Sequence, residues 1–168
     1  MEPKNPSESV AVMTQIILPS DANPLNAAFG GRVLEWIDIC GGIAAGRHCR
    51  HAVVTASMDD LHFHAAIRVG WVVTLRARVL AAFHSSMEVG VRVNAENPLT
   101  GEHHLATSAL ITFVALNPDG SRAQVPPLAL TTDDERAASK AAHARRKERL
   151  SRKTSVVEWQ KLFEPPSN

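Results

Sequence analysis

The fold of this chain is decided by residues 21–46, which read DANPLNAAFGGRVLEWIDICGGIAAG. The stretch begins as a polar loop, passes through Gly30 and Gly31, and continues as a mainly apolar run in which one acid, Asp38, is set among Leu34, Ile37, Ile39 and Cys40, while a second acid, Glu35, is expected to pair with Arg32 or Arg47 or to support the site. We predict a helix over 31–45 that is too apolar to lie on a surface and too short to cross a membrane. The sequence therefore indicates a long helix buried against other elements.

The acid and the glycines of this helix form a candidate functional site. A buried carboxylate is costly unless it is paired or used, so Asp38 requires an explanation. Gly30 and Gly31 would let a ligand approach the unpaired N–H groups of the first helical turn, where the helix dipole favours negative charge. The alternative, from the residues alone, is a core helix whose glycines allow close packing and whose acid is satisfied by a neighbouring loop.

The composition is that of one ordinary soluble domain. Of its 168 residues, 45% are hydrophobic and 21% are charged, and the net charge of +1 identifies no partner. Two cysteines, Cys40 and Cys49, do not make a disulfide framework, which favours reduced thiols and a cytoplasmic protein. Neither a secretory signal nor a membrane-spanning run is found, so we expect the protein to stay in the cytoplasm without a membrane partner.

Five strands are predicted around the helix. The alternation is clearest over 85–96, where Met87, Val89 and Val91 share one face. Turns rich in Asn, Pro and Gly join the last three strands, which indicates an antiparallel meander. One long helix against one antiparallel sheet is an α+β arrangement. The predicted strands are 9–18, 52–63, 71–83, 85–96 and 105–116.

The chain divides into a flexible N-terminus (1–8), one folded domain (9–127) and a helical extension (128–168). The extension contains a helix that begins at a capping box, Thr132-x-x-Glu135, and we expect this basic helix to be mostly solvated. Its positive charges have no stacking aromatics among them, which argues against nucleic acid as a partner. Apolar residues of the tail are expected to dock on a neighbouring surface of the same or another subunit: Val156, Val157, Trp159, Leu162 and Phe163.

Six short pieces follow one another along the chain: Asp21-Ala22-Asn23, Phe29-Gly30-Gly31, Ile37-Asp38, VTASMD (54–59), Ser86-Met87-Glu88-Val89 and TFVAL (112–116). In this order and spacing they resemble the acyl-coenzyme A thioesterases of the hotdog superfamily. The most similar branch is the cytosolic acyl-CoA hydrolases, and the likeness covers 15–127 together with the basic helix after it. It implies the hotdog fold, in which an antiparallel sheet wraps one long central helix, with a C-terminal basic helix added.

The resemblance implies hydrolysis of acyl-CoA to a free fatty acid and coenzyme A. The family's catalytic acid falls on Asp38 and its partner amide on Asn23, and the two would come from different subunits of a homodimer or a trimer of dimers. The chemistry agrees, because thioester hydrolysis needs a carboxylate as general base or nucleophile and N–H donors for the oxyanion. Asp38 could supply the carboxylate, and the backbone of Gly30 and Gly31 could supply the donors.

Four further positions are implied to bind substrate. Phe29 precedes the glycines, His64 matches a Phe-His step of some relatives, and Ser85 and Ser86 fall where relatives contact the coenzyme A nucleotide. His62 and His64 would share a strand face, but no third ligand accompanies them and the family needs no metal, so we expect none. No cofactor is implied beyond the coenzyme A of the substrate.

Two other functions stay open on the sequence. A non-catalytic hotdog domain that binds acyl-CoA or a partner would keep Asp38 as a structural acid. A dehydratase of the same fold would pair an aspartate with a histidine around the helix, and no such pair is found. The preferred acyl chain length is also open, because Trp36, Ile39 and Ile43 could close or widen a tunnel at the subunit interface.

Overall fold

The strand with the clearest alternation lies at the centre of one antiparallel sheet in the computed structural model, which describes residues 1–152. The sheet order is β1-β3-β4-β5-β2, so β1 and β2 are the edge strands. All five predicted strands are present, and their ends differ from the prediction by at most two residues. The strands are β1 (Ala11–Ile16), β2 (Ala52–Phe63), β3 (Val72–Ala82), β4 (Ser86–Glu96) and β5 (His103–Leu116).

The central helix, α1 (Gly30–Cys49), packs on one face of this sheet, which we call the inner face. Small residues allow the close approach, since a Cβ atom added at Gly41 would lie 3.0 Å from the ring of Phe113 on β5. Apolar side chains that alternate along β3, β4 and β5 complete the core between helix and sheet. This arrangement confirms the predicted α+β hotdog fold.

The central helix ends later than predicted. It continues through His48 and Cys49, both of which are buried, and it stops at Arg50, which has a left-handed backbone (φ 57°). Gly46, the residue just after the predicted helix, instead lies inside it, and its carbonyl accepts the hydrogen bond of the Arg50 N–H (2.8 Å). The helix is longer because its last turn still has apolar surface to bury.

The second helix, α2 (Asp133–Arg152), crosses the opposite face of the sheet, which we call the outer face. Its predicted capping box is confirmed, because the Glu135 N–H donates to the Thr132 hydroxyl and the Glu135 carboxylate accepts from the Thr132 N–H, both at 3.2 Å. The expectation that the helix is mostly solvated is wrong for one side, where Glu135, Ser139 and Ala142 are buried.

Ion pairs account for this packing. Three of them join the helix to three strands of the sheet: Glu135 with Arg78 on β3, Arg145 with Glu88 on β4, and Arg149 with Asp59 on β2. Apolar periodicity could not reveal a helix that docks through charged side chains.

The N-terminus is joined to the rest of the domain, although 1–8 was expected to be flexible. The Lys4 N–H donates to the Pro127 carbonyl (2.9 Å), and the Lys4 ammonium donates to the carbonyl of His48 at the end of α1 (2.8 Å). A short 3₁₀ helix, Pro6–Ser9, follows. The domain boundaries at 8/9 and 127/128 stay predictions.

Two further points concern the ends and faces of the chain. Over residues 1–152, neither helix offers an apolar stretch of the length that a bilayer crossing requires. The predicted docking of the tail falls on 153–168 and lies outside the described residues.

Candidate active site

The one acid on the apolar part of α1 has a hydrogen-bond partner on the neighbouring edge strand. Asp38 is half-buried, and its Oδ1 accepts a 2.5 Å hydrogen bond from the hydroxyl of Thr55 on β2. The helix places Asp38 beside exposed Ile39, at the margin of the core rather than within it. One carboxylate oxygen is therefore held by a hydroxyl donor, and no hydrogen bond from residues 1–152 is recorded to Oδ2.

The loop before α1 is folded around the side chain of Asn23. Its Oδ1 accepts hydrogen bonds from the backbone N–H groups of Leu25 (2.9 Å) and Ala27 (3.3 Å). The backbone N–H of Asn23 donates to the Ala27 carbonyl (2.7 Å). Backbone N–H groups can bond only to the oxygen of the amide, which fixes the orientation of the side chain. The Nδ2 group of Asn23 is therefore available as a donor, while the oxygen is occupied.

Asp21 closes the base of this loop. Its buried carboxylate accepts from the Leu18 N–H (3.0 Å) and from Nε of Arg32 in the first turn of α1 (2.9 Å). Its backbone carbonyl accepts from the N–H of Phe29, directly before the helix (2.8 Å). These hydrogen bonds from Leu18 and Arg32 lower the pKa of Asp21, so the carboxyl group is ionised at neutral pH.

The predicted glycines begin α1 as expected. Within the part of the chain that the structure describes, the N–H groups of Gly30 and Gly31 donate to no protein acceptor. Gly30 lies beneath Phe63, because a Cβ atom there would be 3.3 Å from that ring. Gly30, Asn23, Phe63 and His64 line one cleft with a volume of about 570 Å³. The cleft therefore combines backbone N–H donors, one amide donor and an apolar wall.

A single subunit does not bring this cleft to Asp38. Gly30 and Asp38 are eight residues apart on one helix, which corresponds to about 12 Å along its axis. Asp38 does not line the cleft. The predicted site residues Asn23, Gly30 and His64 thus line the cleft, with Gly31 next to Gly30 in the first turn of α1, whereas Asp38 lies beside the edge strand with Thr55.

The other predicted substrate-binding residues are spread more widely. Phe29 is 54% exposed at the start of α1. Ser85 is half-buried, and its carbonyl accepts from the N–H of Ala115 (3.0 Å). Ser86 is only 7% exposed, and its hydroxyl accepts from the guanidinium of Arg146 on α2 (2.9 Å). Arg146 therefore lies between Ser86 and solvent.

The two histidines of β2 and its end show no metal site. The rings of His62 and His64 stack with centroids 6.1 Å apart, and Nε2 of His64 is 3.0 Å from the hydroxyl of Ser108. Over residues 1–152, no group of three His, Cys, Asp or Glu side chains is arranged to hold a metal ion.

Thr55 is the functional candidate that sequence reasoning missed. It belongs to a β-branched strand segment in which a threonine needs no special explanation. The only sequence signal was its place in the piece VTASMD, which gave no role to an individual residue. The hydrogen bond to Asp38 depends on which strand borders the helix, and that is a property of the sheet order.

The chain matches known proteins over most of its length. A profile described as the thioesterase superfamily matches residues 25–102. An uncharacterised acyl-CoA thioester hydrolase of Bacillus subtilis (strain 168) is 40% identical over 87% of this chain and 85% of that protein. The cytosolic acyl coenzyme A thioester hydrolase of Rattus norvegicus is 36% identical over 80% of this chain, which spans 36% of the rat protein.

Solved structures give the same result. An apo-hexameric acyl-CoA thioesterase superposes with a TM-score of 0.86 at 36% identity, over 90% of this chain and 97% of the other. An aspartate-to-alanine variant of an acyl-CoA hydrolase from Staphylococcus aureus superposes with a TM-score of 0.87 at 30% identity, over 97% of this chain and 100% of the other.

The Staphylococcus aureus hydrolase has also been solved with butyryl coenzyme A and coenzyme A, and as three alanine variants. The variants replace one asparagine, one aspartate and one threonine. The three positions are separated by the same numbers of residues as Asn23, Asp38 and Thr55.

Proposed function

The chain belongs to the thioesterase superfamily, and on that premise we propose that it hydrolyses acyl-CoA to a free fatty acid and coenzyme A with Asp38 as the catalytic carboxylate. The observation that carries the proposal is the hydrogen bond from Thr55 to Asp38. It holds a half-buried acid that lies between apolar residues of α1 in one orientation, while no residue of the described range 1–152 donates to its second oxygen. The matching spacing of Asn23, Asp38 and Thr55 with the residues replaced in the Staphylococcus aureus hydrolase supports the same assignment.

Asp38 can act in two ways. As general base it removes a proton from water, the hydroxide adds to the thioester carbonyl, and the C–S bond breaks as the thiolate takes a proton. As nucleophile it attacks the carbonyl itself, expels the thiolate and forms an acyl anhydride, which water then hydrolyses to the free acid. Neither route requires a cofactor or a metal ion.

The oxyanion of either route needs N–H donors, and we assign them to the cleft. The free N–H groups of Gly30 and Gly31 lie at the positive end of α1, and the Nδ2 group of Asn23 is the third donor. The oxygen of Asn23 is occupied by its own loop, so this side chain acts as a donor and not as a base.

We propose that the cleft of one subunit faces Asp38 of another. The separation of about 12 Å within one helix keeps the two groups apart in a single chain. The edge strand β2 is free to pair, and Val54 on it is 47% exposed, while Ile39 and Ile43 beside Asp38 are 45% and 41% exposed. An unpaired edge with apolar neighbours is suited to a second copy, so the assembly is a homodimer or a trimer of dimers, as the hexameric relative suggests.

The remaining assignments follow from this arrangement. His64, which lines the cleft, and Phe29, which directly precedes Gly30, are assigned to the acyl or pantetheine portion of the substrate, and Ser85 and Ser86 to the nucleotide. The cytosolic relative supports a cytosolic location.

The test is release of thiol from a panel of acyl-CoA chain lengths by the wild type and by Asp38→Asn. We expect the variant to lose at least about 100-fold in kcat because it cannot accept the proton or attack the carbonyl. Glu35→Gln is the matched control, since Glu35 is an exposed carboxylate one turn earlier that pairs with Arg32 (2.5 Å), and its kcat should stay within about twofold. Hydrolysis retained by folded Asp38→Asn, or a wild type that binds coenzyme A esters without releasing thiol, would overturn the proposal.

The two-subunit site has a separate test in mixed dimers. Asn23→Ala and Asp38→Asn chains should each be nearly inactive alone. If each site takes Asn23 from one subunit and Asp38 from the other, a heterodimer of the two variants contains one intact site and regains activity. If both residues of a site came from the same subunit, the heterodimer would contain no intact site and would stay inactive.

A further inference from the structure

The arginines of α2 that face the sheet are not equivalent. Arg145 is paired with Glu88, and Arg149 is paired with Asp59. Arg146 lies between them in sequence, yet among residues 1–152 no carboxylate lies within salt-bridge distance of its guanidinium. A half-buried cation without an anion is unusual beside two neighbours that each have one.

The guanidinium of Arg146 is nevertheless held in place. It lies over the ring of Phe83 at 4.2 Å from the centroid, and one N–H donates to the hydroxyl of Ser86 (2.9 Å). Phe83 is itself fixed by an edge contact with His143, whose ring centroid lies 5.0 Å away. An arginine has five N–H donors, and Ser86 uses one of them. The site is therefore preorganised with several donors to spare.

The electrostatic surroundings of Arg146 favour an anionic ligand. Partial burial and the nearby Arg149 both lower the pKa of Arg146, although a guanidinium remains charged at any ordinary pH. Removing positive charge from water next to a second positive charge is unfavourable, and a bound anion would relieve both effects. Phosphate and carboxylate oxygens both match the fork geometry of a guanidinium, and a coenzyme A thioester carries phosphate groups.

The location connects this site with the proposed chemistry. Ser86 begins β4 and pairs with Val114 of β5, while Thr55 of β2 pairs with the adjacent Phe113. Arg146 thus lies near the same end of the sheet as Asp38 and Thr55, with β5 as the one strand between, but it lies over the outer face whereas Asp38 lies over the inner face. Measured along the sheet, the two strand spacings correspond to about 10 Å.

We infer that Arg146 binds a phosphate group of the coenzyme A portion of the substrate, and that Ser86 and Phe83 position its guanidinium for this role. The inference rests on the proposed function. It also changes the role expected for Ser86, which is too buried to be the main contact and instead fixes the residue that makes it.

The experiment compares one acyl group on three carriers: coenzyme A, 3′-dephospho-coenzyme A and pantetheine, which lacks every phosphate. We expect Arg146→Gln to raise KM for acyl-CoA about tenfold with kcat unchanged, the effect of one charge-assisted contact. KM for acyl-pantetheine should be the same in the variant and the wild type. Arg146→Lys keeps the charge without the fork and should fall between, and Lys147→Gln, an exposed cation on the same helix, is the matched control.

The outcomes separate this inference from the function beneath it. An unchanged KM for acyl-CoA in Arg146→Gln, or an equal increase for acyl-pantetheine, overturns the role of Arg146 while leaving the hydrolase intact. If the wild type hydrolyses no thioester, the proposed function fails. The role of Arg146 is then tested by calorimetry, which measures the affinity of the wild type and of Arg146→Gln for free coenzyme A. Binding weakened about tenfold in Arg146→Gln supports the phosphate site, and equal binding overturns it.

Discussion

The two helices have the same length, 20 residues, and lie on opposite faces of one sheet, but different forces hold them there. The inner helix, α1, buries apolar side chains such as Val33, Ile37 and Ala44. The outer helix, α2, is joined through ion pairs such as Arg145 with Glu88. Burying an unpaired charge in an apolar core costs free energy, so a charged group there is expected to be paired or to have a function. A helix that docks through charged side chains can keep some of those charges accessible to a ligand. Accordingly we assign the reaction to α1 and phosphate binding to α2.

The strongest way to break this comparison is to force α1 away from the sheet. Gly41→Leu should lower the free energy of unfolding by about 3 kcal/mol, because a Cβ atom alone would lie 3.0 Å from Phe113 and 3.3 Å from Ile111. Urea denaturation measures the change. In Gly42→Leu, where a Cβ atom meets Phe113 at an ordinary 3.7 Å, the loss should stay below about 1 kcal/mol. Equal losses in the two variants would show that close approach at Gly41 does not determine the packing.

The inner helix is also the part of the fold that the sequence predicts best. Apolar periodicity and alternation report burial directly, so α1 and the face of β4 with Met87, Val89 and Val91 could be recognised from residue types. The outer helix could not be placed in this way. In the alternation of β4, Glu88 falls on the face opposite Met87 and Val89, where a polar residue predicts exposure, yet it is only 1% exposed and pairs with Arg145.

Removing one ion pair of α2 tests whether this helix is held to the sheet by charge. Arg145→Met should lower the free energy of unfolding by about 2 kcal/mol, since it leaves the buried carboxylate of Glu88 unpaired. Replacing both Arg145 and Glu88 by methionine should recover most of that loss. Arg136→Met is the control, because its pair with Asp133 is exposed and should contribute less than about 0.5 kcal/mol. A double variant as unstable as the single one would contradict the ionic account of this face.

The smallest expected effect is on the pH dependence of folding stability. Lowering the pH should destabilise the contacts of α1 and those of α2 at different pH values. Burial lowers the pKa of His48 at the end of α1 below its ordinary value of 6.5, so the unfolded chain takes up this proton first and stability falls as pH drops below about 6.5. Hydrogen bonds from the backbone of Thr131 and Thr132 lower the pKa of Glu135 at the start of α2, so its contribution is lost only below about 4.5.

Urea denaturation between pH 7 and pH 4 measures both steps. His48→Gln should flatten the dependence of stability on pH between about 7 and 5, and Glu135→Gln should alter it only below about 4.5. An unchanged slope in His48→Gln would exclude this histidine as the group that titrates.

Only some residues of the candidate site could be predicted from the sequence. Asp38, Gly30 and Gly31 follow from residue type, because an acid set among apolar helix residues and glycines at the start of the helix are local signals. Thr55 does not, since its role depends on β2 lying beside α1. The role of Asn23 as a donor rather than an acceptor also depends on the fold, because it follows from the hydrogen bonds between its oxygen and the backbone of its own loop.

That loop has a consequence for the timing of catalysis. Asn23 bonds Leu25 and Ala27, and Asp21 ties the loop to Phe29 and Arg32 before any ligand is bound. The conformational entropy of the segment is therefore lost when the chain folds and not when a thioester arrives. The loop is therefore already ordered when a substrate binds. A substitution that removes one of its hydrogen bonds should lower kcat more strongly than it lowers the stability of the fold.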